Sequence, residues 1–464
     1  MDDNRTDTIA EARRILRLAW PIMLTSLNWT LMHMIDVVVV GHYGTAELAA
    51  LGASRILTFI ILVMGFAGLS GILVFTAQAD GGKRLAETGD IFRAGLVLAL
   101  VIGAISAAIL GLFAFDLLGL FGVEPALQRP GANVVQAMAL GFPAQLLIGA
   151  ASYFLEGISR PRRVMAVNLV MLPFNGLLAW AWVGGHIGLP ALGAVGAAYA
   201  TATISWAGAL AMILFVWLLP TARERRVHDF GLPALGRAFR GARPLARFGL
   251  VPAIGAMLEL AGFSCLMVLS TQLGNAPAGA FQAMLSIHNI AFALSMGFGS
   301  AAGVRVGNAV GAGERGQAWP RALIAAALAA LLLGLISLLL VFAAPSLVRP
   351  FSDDLEVLTL AAPMLAIMGA FLAFDGLQYV FGAALRSLGE QVWAGVNGIF
   401  GFFLITGGTG ILLVRAGWGA QGLALAAGLG MLASALLQFG RFAWVLRARS
   451  GKVGTGFPDK SSAS

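Results

Sequence analysis

Twelve apolar stretches, each long enough to cross the ~30 Å hydrocarbon core of a bilayer, constrain this chain more than any other feature. They fall at roughly 16–41, 48–78, 92–119, 131–155, 164–184, 190–219, 247–271, 277–310, 318–344, 357–385, 392–415 and 419–447. With no water inside the bilayer, each must satisfy its own backbone donors and acceptors, so each is expected to be a helix. A chain of 464 residues that is 59% hydrophobic and 11% charged carries more apolar surface than a soluble core needs. Its mean hydropathy is +0.87. Several stretches exceed the minimum length, so tilt or bending is expected, with Pro21 and Pro252 as candidate bend sites in the first and seventh.

The basic residues orient this topology. Of 30 Lys and Arg, Arg129, Arg349 and Arg415 fall in loops on one face, and Arg55 falls inside a span. The others lie on or beside the opposite face. The positive-inside rule places that face, with both termini, in the cytoplasm. The net charge of +8 is then explained by loops next to anionic lipid, with no nucleic-acid partner required. The opening MDDNRTDTIAEARR is polar and does not look like a cleaved signal peptide. The expected division is a cytoplasmic segment 1–15, a six-helix bundle 16–220, a basic cytoplasmic linker 221–246, a second six-helix bundle 247–448 and a cytoplasmic tail 449–464.

The two halves look related. GFAGLSGILVFTAQADGGKR (65–84) aligns with GFGSAAGVRVGNAVGAGERG (297–316) at an offset of 232. GLPALGAVGAA (188–198) aligns with GWGAQGLALAA (417–427), and VMAVN with WAGVN, both at 229. An even number of helices per repeat implies a parallel repeat about an axis along the membrane normal. The fold class is therefore an all-α polytopic membrane protein, with twelve transmembrane helices in two pseudo-symmetric six-helix bundles and a central cleft.

Three acids lie well inside spans: Asp36, Glu259 and Asp375, while Asp116 and Glu156 sit at span edges. No basic residue is expected at comparable depth apart from Arg55. A carboxylate in hydrocarbon without a fixed counter-ion either takes a proton or binds a cation; the alternative is a structural acid hydrogen-bonded to neighbouring polar side chains. Asp36 and Glu259 do not superpose in the repeat, since the Pro21/Pro252 match sets Asp36 opposite Met267. Phe371, Phe374, Tyr379 and Phe381 surround Asp375 in sequence, which suits either cation–π contacts or plain packing. His33 is three residues from Asp36, one helical turn away or facing another helix.

Chemistry of other classes finds little support. The single cysteine, Cys265, excludes an intrachain disulfide or a cysteine metal cluster, and the five histidines form no HExxH pair. GAGERG (311–316) and GGKR (81–84) lack the P-loop pattern and read as tight turns. No constellation for a membrane-embedded enzyme is present.

The ordered pieces AWPIMLTSLNWTLMHMIDVVVVGHYGTAELAALG, LPALGAVGAAYAT, MLELAGF, VRVGNAVGAGE and FDGLQYVFGAALRSLG resemble the multidrug and toxic compound extrusion (MATE) family over nearly the whole chain. The acids in the seventh and tenth helices resemble its NorM-like bacterial branch. The resemblance implies efflux of amphipathic, mostly cationic small molecules in exchange for Na⁺ or H⁺, with no cofactor, by a monomer in contact with membrane lipid. It implies cation binding by Glu259 and Asp375, which would be metal ligands if the ion is Na⁺, and proton or drug coupling by Asp36. Asn175 and Gln282 match polar positions of the family, and Phe374 and Tyr379 would line the substrate path. Ser286 and Ser295 depart from the asparagine and proline usual there. A related lipid-linked precursor flippase is the competing reading; it would present basic residues to the cavity instead of acids.

Overall fold

The computed structural model describes residues 2–352 and 354–450; the expected tail 449–464 lies almost wholly outside the described residues, as does the start of segment 1–15. Among the described residues, eleven helices are long and apolar enough to cross a membrane, and one bent pair supplies a twelfth. In chain order, spans 1 to 3 are Asp7–Tyr43, Thr45–Gly81 and Leu85–Leu120. Span 4 is the pair Pro125–Ala139 and Phe142–Gly157, and spans 5 and 6 are Pro161–Gly184 and Gly193–Trp217. Spans 7 to 9 are Leu232–Leu273, Asn275–Gly311 and Arg315–Phe342. Spans 10 to 12 are Leu355–Ser387, Gln391–Arg415 and Gly419–Ala448.

The breaks have local causes. The two pieces of span 4 meet at 47°. Pro143 cannot donate to the carbonyl of Ala139, and the neighbouring Leu140 carbonyl is taken by the Trp206 indole at 3.0 Å. Span 5 stops at Gly185, which adopts a left-handed φ of 72°. Span 6 begins beside Glu47, whose carboxylate accepts from the Ala194 amide at 2.7 Å at the positive end of the helix. Spans 1 and 7 run on through Pro21 and Pro252 without interruption. Span 11 contains a π-helical segment, Ile399–Gly407, packed between spans 7 and 12.

Span 7 starts fifteen residues before the expected position, so the stretch expected as linker is helical from Leu232. Its buried positions, Ala234, Ala238, Leu245, Phe248 and Gly249, follow helical spacing. Arg240, Arg243 and Arg247 occupy the exposed face. Those arginines mask the apolar period when the sequence is read by composition.

Each half has its own apolar core. Phe92, Phe142 and Phe154 anchor the first, and Phe298, Phe381 and Phe442 with Phe281 and Phe402 anchor the second. The first turns of span 1 (Ile15, Leu18, Ala19, Met23) pack into the second half's core. The halves also meet where span 2 crosses span 8. Helices in lipid gain little from apolar burial against each other, so close approach of small residues is what holds such a seam. A Cβ at Gly311 would run into the Gln78 carbonyl, and one at Gly81 into the backbone of Asn308. Hydrogen bonds reinforce the contact. Asn308 donates to the Ala77 carbonyl at 2.8 Å, and Gln78 to the Ser387 carbonyl at 2.9 Å. The bonds named here all lie toward the arginine-rich ends of the spans.

Candidate functional site

The intramembrane acids form two centres, one in each half. In the first, Asp36 on span 1 is 2% exposed. Asn175 on span 5 donates to its Oδ1 at 3.0 Å, and Thr201 on span 6 donates to its Oδ2 at 3.2 Å. Thr201 also lies 3.4 Å from Asn175 Oδ1, which closes a three-helix network. The sequence reading named Asp36 and Asn175 separately; the structure joins them. It missed Thr201, whose signal was a polar run, Thr201, Thr203 and Ser205, inside an otherwise apolar span. His33 is not bonded to Asp36. Its ring packs beside Trp29 at 6.4 Å, and its backbone carbonyl accepts from Arg55 at 2.8 Å.

The second centre is built on Asp375 of span 10, 1% exposed. Ser295 donates to its Oδ2 at 2.9 Å and Gln378 to its Oδ1 at 3.4 Å. Ser434 on span 12 in turn donates to Gln378 Oε1 at 3.4 Å. Ser295 was noted above as a departure from a usual proline; here it is the nearest donor to the acid. His288 Nε2 lies 3.9 Å from Asp375 Oδ2 and is buried with no hydrogen-bond partner among the described residues. Phe263 and Phe292 flank its ring, each at 6.2 Å. Glu259 on span 7 is within electrostatic reach of Asp375 and Arg386, and among the described residues its carboxylate has no hydrogen bond or ion pair.

The expected supporting residues divide. Tyr379 lies within reach of both acids, with its ring edge-on to Phe292 at 5.1 Å. Phe374 packs with Phe371, 6.4 Å away, against the apolar core of the second half. Gln282 is exposed and makes no side-chain hydrogen bond to either acid among the described residues. No basic residue but Arg55 was expected at the depth of the acids; two other basic side chains nonetheless act on the second centre. Arg386, at the end of span 10, is within electrostatic reach of Glu259 and Tyr379, and His288 adjoins Asp375.

A further buried acid emerges toward the same end. Glu156, read from sequence as a span-edge residue, is 5% exposed and accepts from Ser300 of span 8 at 2.7 Å. That bond joins the two halves beside the glycine seam.

Chemically, each centre presents a carboxylate to neutral donors inside a helix bundle. Such a group can exchange a proton or a monovalent cation reversibly. A MatE family model matches residues 21–181 and 252–407, one block in each half. The chain belongs to the MatE family. Members of this family are membrane transporters, and no enzymatic role follows from it. The chain is 31% identical to the probable multidrug resistance protein NorM of Caulobacter vibrioides, over 82% of this chain and 79% of that one. It is 30% identical to the probable NorM of Xanthomonas campestris, over 93% and 94%. A solved eukaryotic MATE transporter shares the fold with a TM-score of 0.84 at 21% identity, covering 95% of this chain and 99% of that one.

Proposed function

We propose that this protein is a cation-coupled efflux antiporter of a bacterial inner membrane, exporting amphipathic, mostly cationic compounds by alternating access. Na⁺ or H⁺ is the exchanged ion, no resident cofactor takes part, and the protein works as a monomer with both termini cytoplasmic. Bundles 16–220 and 247–448 are its moving units. The observation that carries the reading is the acid pair of the second half, buried Asp375 and half-buried Glu259. Asp375 has a neutral donor on each oxygen, whereas Glu259 has none among the described residues. Glu259 therefore has oxygens free for an entering cation, and Asp375, within electrostatic reach, supplies a second carboxylate.

With the seam closed at the cytoplasmic end, the centres exchange with the outside. A cation arriving there neutralises Glu259 and Asp375, and a proton does the same at Asp36. Each event lowers the affinity for a cationic drug and releases it outward. After the bundles rock, the cation leaves to the cytoplasm and the restored charge recruits the next drug. Exchange follows because drug and ion compete for the same carboxylates, so each weakens the other's binding by the same factor. The acidic character of both centres supports a cation exporter over a flippase for pyrophosphate-linked lipids.

The test is ethidium efflux from cells and from vesicles with an imposed Na⁺ or pH gradient. Glu259→Gln and Asp375→Asn should each abolish ion-dependent efflux while membrane levels stay normal. Wild-type efflux in both variants would overturn the assignment.

A further inference from the structure

At the arginine-rich end, a cavity of about 630 Å³ opens between span 1, the turn into span 5, and span 8. Six guanidinium groups line it: Arg14, Arg17, Arg160, Arg162, Arg163 and Arg305. Among the described residues, one acid pairs with any of them. Glu11 takes Arg305 through both oxygens at 2.6 Å and lies 3.6 Å from Arg14. Arg163 is committed to the Phe215 carbonyl at 2.6 Å. Arg17 and Arg160 are exposed, and among the described residues their side chains have no hydrogen bond or ion pair. So much like charge around one hollow calls for an anionic oxygen ligand such as a phosphate, for which the planar guanidinium is well shaped.

A second feature says where that ligand comes from. Leu16, Trp20 and Leu24, four residues apart on span 1, are 43%, 40% and 39% exposed. They form one apolar stripe that leads from the cavity along the span into the hydrocarbon. Trp20 lies under Arg162, with the guanidinium carbon 5.6 Å from the ring centroid, as suits an indole at the headgroup level. We propose that this cavity holds the phosphate of an anionic phospholipid of the cytoplasmic leaflet, with an acyl chain along Leu16, Trp20 and Leu24. The arginines come from spans 1 and 5 of the first half and span 8 of the second, so one headgroup ties the halves together when the seam is closed. Lipid composition then biases the transport cycle.

The full-length protein, purified in a neutral detergent, is incubated with phosphatidylglycerol, phosphatidylcholine or inorganic phosphate, and bound lipid is counted by native mass spectrometry. Arg17→Gln/Arg160→Gln should weaken phosphatidylglycerol binding roughly 30-fold, about fivefold per lost charge, and leave phosphatidylcholine unchanged. Arg17→Lys/Arg160→Lys should retain most of the binding. Trp20→Ala should weaken phosphatidylglycerol but not phosphate. Equal phosphatidylglycerol binding by wild type and the glutamine variant would overturn the site. Full displacement of the lipid by millimolar phosphate would overturn the lipid assignment in favour of a soluble anion.

Discussion

The bond between Ser300 and Glu156 crosses from one half to the other, so it exists only while the seam is closed. Ser300→Ala removes the hydroxyl that donates at 2.7 Å. Glu156 is 5% exposed and has no other side-chain hydrogen bond among the described residues, so neither water nor a neighbour replaces it. Leaving a buried acceptor without its donor costs about 1–3 kcal/mol. Loss of that amount from the closed state alone raises the open-to-closed ratio by about 5- to 150-fold. A cytoplasm-open fraction of about 1% would become roughly 5–60%. Spin labels at Lys83→Cys and Gln317→Cys, on a Cys265→Ser background, report the gap between the halves at exposed positions. Pulsed electron paramagnetic resonance should show a longer-distance population appear in Ser300→Ala. Glu156→Gln keeps an acceptor for Ser300 and should shift the distribution much less. An unchanged distribution in a folded Ser300→Ala protein would show that this bond does not couple the halves.

Two further outcomes follow from the same geometry. Thr201→Val and Asn175→Leu each leave one oxygen of buried Asp36 without its donor. Each should destabilise the protein by about 1–3 kcal/mol in detergent unfolding, and the double variant should cost less than the sum because the two donors share one network; strict additivity would refute a shared centre. Gly311→Leu places a side chain against the Gln78 backbone and should abolish efflux while the labelled pair reports only separated halves. Retained efflux would mean the seam need not close.

The twelve spans and the two halves were legible in the sequence because lipid leaves the backbone no alternative and most charge settles in the loops and at helix ends. Asp36, Glu259 and Asp375 were legible for the same reason: a carboxylate stands out in an apolar run. Their partners were not. Thr201, Ser295 and Gln378 are ordinary polar residues in their helices, and only the packing of three or four spans gives them a carboxylate to meet. Glu156 does sit at the edge of span 4, but its burial was not legible, because it is the other half that covers it. The helical start at Leu232 was hidden by arginines that occupy one face of that helix and leave the other to small apolar residues.

The glycine seam is composed of the same stretch of sequence used twice. Residues 65–84 and 297–316 align with each other, and it is they that touch, Ala77 by Gly307 and Gln78 by Gly311. A surface that meets its own counterpart about a two-fold axis is isologous, the type found at the centre of symmetric homodimers. A six-helix chain could have made this contact with a second copy of itself. Within one polypeptide, a change at this patch meets its counterpart across the axis, so both sides of the contact must fit together. Away from the axis the halves are not so bound. One half holds a single acid within a three-helix network and the other holds a pair, Glu259 and Asp375.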